Sequence, residues 1–361
     1  MIPDCTLTTA CFDLTKYNST SRDVDKTLEN ISSLLEVPCY LIIFTDTTLY
    51  NAIKNKRDEF NLGVMTHYVV IDVESLDTFK YRDIVNKNRK KFHPTKDERT
   101  CAESHLVCSS KFELVLKSIE INPFNTSRFG WVDSNVGVNF SKMCTNYKNN
   151  MLLNILHKCN ENKFYLQILN VCDKNYILED KLNEYYSQYR WIVCGCLFIT
   201  EKDVGIKILN ELNNVFIKHT TMGYGHGEEM YYLEILDKYY DEIVRSYGDY
   251  QHILNNFANL SIGIDYILEI SNRYLNYGYN KECVDCCSKV IQLYDNFDIE
   301  MNYNFYFKYL FNMYVSTFYL DREKAKLIVK NIFKLINTTP IMETIYLSNK
   351  SFYDAQFCYC M

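Results

Sequence analysis

Glycine and proline are scarce in this 361-residue chain, at 11 and 5 residues, which excludes long flexible linkers and collagen-like or mucin-like segments. No apolar run approaches the ~20 residues a membrane span needs; the best, Trp191 to Ile199, falls far short. Excess positive charge is missing as well. The formal net charge is −6, which argues against a general nucleic-acid binder, because such proteins carry a basic footprint. The opening Met1-Ile2-Pro3-Asp4-Cys5 has no basic region ahead of an apolar core, so no secretory leader is expected. The fifteen cysteines are then expected as free, mostly buried thiols in a reducing cytoplasm. On that expectation the Asn-x-Ser/Thr sites at Asn18 and Asn125 are chance matches. The chain also contains no G-x-x-x-x-G-K-S/T, G-x-S-x-G or H-E-x-x-H, so nucleotide triphosphatase, serine hydrolase and zincin chemistry lose support.

What is present has the profile of a soluble globular protein, 47% apolar and 23% charged, with a length that suits about two domains. Tyrosine is abundant, at 31 residues, and Asn, Lys and Ile are heavily used, a bias that points to an AT-rich coding genome rather than to a function. One basic stretch, Lys87, Arg89, Lys90 and Lys91 followed by Lys96 and Arg99, is interrupted by Pro94, Asp97 and Glu98. It reads as a solvated loop between elements, with contact to a diphosphate or an acidic acceptor as the other reading.

From residue 6 to about 257, strand-like and helix-like segments alternate, which predicts an α/β fold with a mixed, mainly parallel sheet flanked by helices. The strand-like runs are Leu7 to Phe12, Cys39 to Phe44, Thr66 to Ile71, Arg128 to Val132, Phe164 to Leu169 and Trp191 to Ile199. Helical patterns cover Leu49 to Phe60, Val204 to Ile217 and Glu228 to Tyr240, and another in which Phe112, Val115, Leu116 and Ile119 recur behind a cap at Ser109 or Ser110. Past about 258 the pattern is all-α. Ile264 to Asn276, a turn at Gly278 and Cys283 to Leu293 read as a hairpin with tetratricopeptide-like offsets, and a weaker unit runs from Tyr309 to Ile332. The expected domains are 1–257 and 258–361, the second offering helices for a protein partner or for self-association.

Three strands end at a carboxylate, Asp13, Asp46 and Asp133. In a parallel sheet such ends share one edge, where ligands gather. Asp133-Ser134-Asn135 presents two hard oxygen ligands there, and Mg²⁺ or Mn²⁺ usually takes only one or two protein carboxylates; the same residues also end strands as ordinary turn formers. Lys111 and Arg57 suit a phosphate by charge, or are solvated helix residues. A transfer to a hydroxyl needs a base. Glu228 and Glu229, after the Gly223-Tyr224-Gly225-His226-Gly227 loop, and Asp249 are the candidates, although acids at a helix start are also favoured by its dipole. His226 is either a third metal ligand or a plain loop histidine. Cys283, Cys286 and Cys287 share one helix face and Cys194 and Cys196 alternate in a strand, so both groups read as packing rather than zinc.

The order of these motifs resembles the HtrL/YibB family, a group of predicted glycosyltransferases associated with bacterial surface polysaccharide. Thr8-Thr9-Ala10-Cys11-Phe12-Asp13 resembles its first strand and Leu41-Ile42-Ile43-Phe44-Thr45-Asp46 its second strand end. Lys111, Asn122-Pro123-Phe124 and Phe129-Gly130-Trp131-Val132-Asp133 resemble its central block, and Tyr247-Gly248-Asp249-Tyr250 its late block. The resemblance covers about residues 6–257. It implies a GT-A-like fold, a nucleotide-sugar donor such as a UDP-sugar, Mn²⁺ or Mg²⁺, and a glycan or protein hydroxyl as acceptor. It further implies that Thr9, Asp13, Thr45, Asp46, Arg57, Lys111 and Trp131 surround the donor, with Asp133, Asn135 and His226 on the metal and Glu228, Glu229 or Asp249 catalytic. Two positions depart from the pattern: Asn135 replaces a glycine, and Glu228-Glu229-Met230 replaces an Asp-Glu-Gln. These departures support the competing reading, a decayed transferase whose helical region binds a partner. The residue bias together with a bacterial-like transferase and a helical tail would suit a large DNA virus.

Overall fold

A computed structural model describes residues 2–18, 23–91, 100–136, 150–225, 227–250, 253–257, 263–296 and 298–359. The chain divides into two compact units, Met1–Ser246 with Tyr250–Ala258, and Tyr247–Asp249 with Asn259–Met361.

The first unit is built on β1 (Cys5–Cys11), β2 (Tyr40–Thr45), β3 (Thr66–Val70), β4 (Arg128–Val132), β5 (Phe164–Ile168), β6 (Leu197–Glu201) and β7 (Ile243–Tyr247). They form one sheet in the order β3-β2-β1-β4-β6-β5-β7. The first four strands are mutually parallel, while β6 runs antiparallel to β4 and β5. The longer helices are α1 (Val24–Leu35), α2 (Thr47–Glu59), α3 (Arg82–Lys91), α4 (Ala102–Ser109), α5 (Lys111–Ile121), α6 (Asn150–Lys158) and α7 (Lys202–Thr221). The mixed, mainly parallel sheet flanked by helices is the fold class expected from the alternating pattern.

All seven residues of β1 are buried because both faces of the sheet are covered, the situation that gives continuous apolar strands. On one face Leu7, Leu41, Ile43 and Val132 pack with Ile31 and Leu34 of α1, Ile53 of α2 and Ile155 of α6. Burying each such side chain contributes about 1.5–3 kcal/mol. The opposite face meets α5 and α7. There the β1 threonines need partners: Thr8 Oγ1 donates to Ser118 Oγ at 2.8 Å, and the Thr6 and Thr126 hydroxyls share a hydrogen bond of 2.6 Å. Because β1, β2 and β4 are parallel, Asp13, Asp46 and Asp133 do follow strand ends on a single edge.

Four local expectations are corrected. The run from Trp191 is not a strand throughout; β6 starts only at Leu197, and the chain turns at Gly195 and Cys196. Glu228 to Tyr240 is not one helix but a single 3₁₀ turn, Glu228–Met230, followed by a short helix, Leu233–Leu236. The basic stretch through Lys91 is the end of helix α3, not a loop. Its Arg89 is buried and donates to Thr100 O at 2.9 Å, while Lys96 and Arg99 lie outside the described residues. Ser110 precedes α5, but its hydroxyl donates back to Val107 O at 2.7 Å, so it closes α4 instead of capping α5.

The second unit is helical: α8 (Ile264–Asn276), α9 (Asn280–Asp295), α10 (Tyr303–Leu320), α11 (Arg322–Thr338), α12 (Pro340–Leu347) and α13 (Lys350–Phe357). Cys283, Cys286 and Cys287 line one buried face of α9. Cys283 Sγ approaches Ser271 O of α8 at 3.5 Å, and Asn312 of α10 donates to Ser271 Oγ at 3.0 Å. Among the described residues no helix is long and apolar enough to cross a membrane.

Candidate functional site

The centre of the site is an unusual lysine. Lys111 opens α5 and is 1% exposed. A helix on the sheet surface would normally turn such a side chain to water, but here the ammonium reaches under the carboxyl edge. It donates to Gly195 O at 2.7 Å and to Glu228 Oε1, lies 3.7 Å from Asp133 Oδ1, and sits 5.5 Å from the Trp131 ring centre. Burial alone lowers its pKa, yet the neighbouring charges of Glu228 and Asp133 outweigh that and hold it well above the ordinary lysine value. The ammonium is therefore permanently charged, as a buried ion pair with further hydrogen bonds requires.

Asp133 follows β4 and is the more open member, with its side chain 31% exposed. Oδ1 accepts from Trp131 Nε1 at 2.6 Å, and its backbone N–H donates to Cys196 O at 2.8 Å. The indole thus orients the carboxylate, while Oδ2 has no hydrogen-bond partner among the described residues. Asn135, two residues on, lies half-buried in the turn closed by Val136 N donating to Asp133 O at 3.1 Å.

Glu228 and Glu229 come from the 3₁₀ turn and divide their roles. Glu228 is buried against Lys111. Glu229 is half-buried and accepts from Tyr189 Oη at 2.5 Å. Desolvation, reinforced by the charge of Glu228, pushes its carboxyl up to about 8. Two glycines make room for this packing. A Cβ on Gly195 would sit 2.9 Å from Glu228 Oε1 and 3.3 Å from Lys111 Nζ, and one on Gly227 would fall on the Tyr189 hydroxyl. Tyr232 Oη is buried beside the cluster and has no partner among the described residues; its phenol is raised by burial, with the charges of Glu228 and Glu229 adding to the effect. Tyr250 is also raised, chiefly by burial, and feels Asp133 and Glu229.

Of the residues singled out from the sequence, Lys111, Trp131, Asp133, Glu228 and Glu229 come together. Arg57 does not. It is 0% exposed, and it donates to Thr66 Oγ1 at 2.7 Å, Leu35 O at 2.9 Å, Val37 O at 2.6 Å and Cys39 O at 2.7 Å. These acceptors surround the beginnings of β2 and β3, the end opposite Asp46, so Arg57 is structural and no phosphate partner. Thr9 and Thr45 are fully enclosed within the sheet, and their hydroxyls have no partner among the described residues. Asp46 caps α2 through Thr48 N at 2.9 Å and Leu49 N at 3.0 Å and accepts from Asp13 N at 2.6 Å, while Asp13 binds its own turn through Thr15 N at 2.9 Å. Asp249 belongs to the second compact unit, and His226 lies outside the described residues. Gly195 reads in the resemblance only as part of a Gly-rich strand; Tyr189 and Tyr232 carried no spacing signal that would have singled them out, and Tyr250 lay unread inside the late Tyr-Gly-Asp-Tyr block.

Among the described residues no group of three or more His, Cys, Asp or Glu could hold a metal. The oxygen set that does fit a hard cation is the open Asp133 Oδ2 with the Asn135 amide, because such ions keep several waters and need few protein ligands. The charge also fits: one ammonium faces the acidic side chains of both Glu228 and Asp133, with Glu229 beside them.

No curated protein matches the chain. Among solved structures, a crystal structure of mouse xyloside xylosyltransferase 1 in its apo form aligns with a TM-score of 0.36 and 10% identity, over 66% of this chain and 84% of that one. The model of the HtrL_YibB family, described as a bacterial protein of unknown function, matches residues 3–153. The chain is thus similar to that family over the first four strands of its sheet, a segment that carries Lys111, Trp131 and Asp133 but not the two glutamates.

Proposed function

We propose that the first unit is a metal-dependent glycosyltransferase that moves a sugar from a nucleoside-diphosphate donor, such as a UDP-sugar, to a hydroxyl of a glycan or protein. The observation that carries this reading is the open carboxylate of Asp133 at the carboxyl edge of a mainly parallel sheet, oriented by Trp131 and backed by the buried Lys111–Glu228 pair. Asp133 and Asn135 would hold Mn²⁺ or Mg²⁺. A bound divalent cation supplies Lewis acidity that offsets charge developing on the departing diphosphate.

The chain's own residues do the rest. In the transfer the bond from the sugar's anomeric carbon to the acceptor oxygen forms, the bond to the diphosphate oxygen breaks, and that electron pair leaves with the diphosphate. The acceptor proton goes to a carboxylate. Glu228 is committed to Lys111, so Glu229 is the better base, and its carboxyl near 8 is close to the working pH where proton transfer is most effective. At pH 7 about one Glu229 in ten is ionised, and the active fraction grows as pH rises through 8.

The test is calorimetry and product assay with Mn²⁺ and a panel of nucleotide-sugars. Metal-dependent donor binding and diphosphate release are expected for the natural chain and lost in Asp133→Ala at unchanged stability. Undiminished turnover in Asp133→Ala, or no metal-dependent heat with any donor, overturns the reading, the latter in favour of a decayed transferase.

A further inference from the structure

Trp191 is 50% exposed, although it stands beside the buried cluster. Its ring packs on Tyr189 with centroids 4.6 Å apart at 45°, and the hydroxyl of Tyr189 donates to Glu229. A single aromatic ring therefore separates an open indole face from the carboxylate. The residues on either side of it are also held in place. Ile192 O accepts from Leu169 N at 2.9 Å, and the preceding Arg190 donates to Tyr185 O at 3.1 Å with its guanidinium 4.5 Å from the Tyr176 ring centre. On the other side, the bare Gly227 lets the Tyr189 hydroxyl sit against its backbone. An exposed tryptophan stacked on a hydrogen-bonded tyrosine has less side-chain freedom to lose when a ligand binds.

We propose that Trp191 and Tyr189 form an acceptor subsite for a neutral glycan, a pyranose ring laying its C–H face on the indole and the next sugar along the chain extending towards Glu229. This deepens the transferase reading and rests on it for the role of Glu229. Charge decides the ligand class. The acids Asp133 and Glu228 outnumber the single Lys111 ammonium here, so an uncompensated phosphate or acidic residue is disfavoured, whereas a pyranose presents an apolar face to the ring and uncharged hydroxyls to the acids. An indole offers a large, rigid apolar face with a polar edge, which suits such an amphipathic ligand.

The chain has only two tryptophans. Trp131 is 4% exposed and Trp191 half-open, so emission at the solvent-exposed end of the spectrum reports Trp191. The full chain is titrated with neutral tetrasaccharides of glucose, xylose and N-acetylglucosamine, and separately with uridine diphosphate plus Mn²⁺. A saturable blue shift with at least one tetrasaccharide is expected, and it is absent in Trp191→Ala. In acceptor assays Trp191→Ala raises KM for the glycan about tenfold, Trp191→Phe much less, and neither changes metal-dependent donor binding. If donor and Mn²⁺ bind but no tetrasaccharide moves the emission, the acceptor subsite is wrong and the transferase reading stands. A shift with uridine diphosphate alone makes the indole a base platform and also refutes the proposal. Tetrasaccharide binding without any donor binding preserves the glycan subsite and refutes the transferase reading.

Discussion

Replacing Lys111 by methionine should destabilise the first unit strongly, and the reason lies in which carboxylate is stranded. The side chain of Asp133 is 31% exposed and can be rehydrated, whereas that of Glu228 is 6% exposed and cannot. Removing the ammonium thus leaves one buried carboxylate without its partner and the Gly195 carbonyl without its donor. Breaking a buried pair in this way costs about 3–5 kcal/mol. Adding Glu228→Gln to Lys111→Met removes the stranded charge, so the double variant should recover about 2 kcal/mol of that loss. Both tryptophans belong to the first unit, so urea unfolding followed by tryptophan emission isolates it from the helical unit. A Lys111→Met variant within 1 kcal/mol of the natural chain, a margin typical of exposed ion pairs, would refute the buried-pair argument. So would simple additivity in the double variant.

Two further outcomes follow from the same geometry. Gly195→Ala places a methyl 2.9 Å from Glu228 Oε1; overpacking of about 1–3 kcal/mol and weakened Mn²⁺ binding are expected, and native stability with native binding would show that the glycine is dispensable. Glu229 holds a proton in the folded chain up to about pH 8, whereas an ordinary glutamate loses it near 4.5, so stability is greatest below about 5 and falls as pH rises from about 5 to 8. Glu229→Gln should therefore flatten the fall in stability over that window and abolish the rise of activity with pH. Thermal melts from pH 5 to 9 that superimpose for the two proteins would contradict the raised carboxyl.

The sheet was legible because its signals are local. Continuous apolar runs such as Leu41 to Phe44 mark strands covered on both faces, and the Asn-Pro-Phe motif marks a helix exit. Asn122 adopts a left-handed φ of 33° after α5, its side chain ties Thr126 N at 3.0 Å, and Phe124 stacks on Tyr40 at 4.7 Å. Asp133 was legible as the end of β4. Arg57 was misplaced because helical spacing tells which face a residue lies on but not which end of the sheet the helix has reached. Lys111 was half-read: its charge suggested an anion partner, but nothing in the spacing of α5 says that the helix begins beneath the strand ends, where Glu228 is 117 residues away in sequence. Glu228 to Tyr240 misled for a related reason, since a short 3₁₀ turn and a continuous helix share the same apolar pattern over one turn.

The four bonds of Arg57 give the sheet a fixed end and a free one. With the entry to β2 and β3 riveted from inside by a single guanidinium, the loops leaving the far ends of those strands can lengthen, shorten or change composition without loosening the framework. New ligand preferences could arise there by drift in loop sequence alone. Exchange of Arg57 for lysine, which keeps the charge but not the fork, would remove that latitude first.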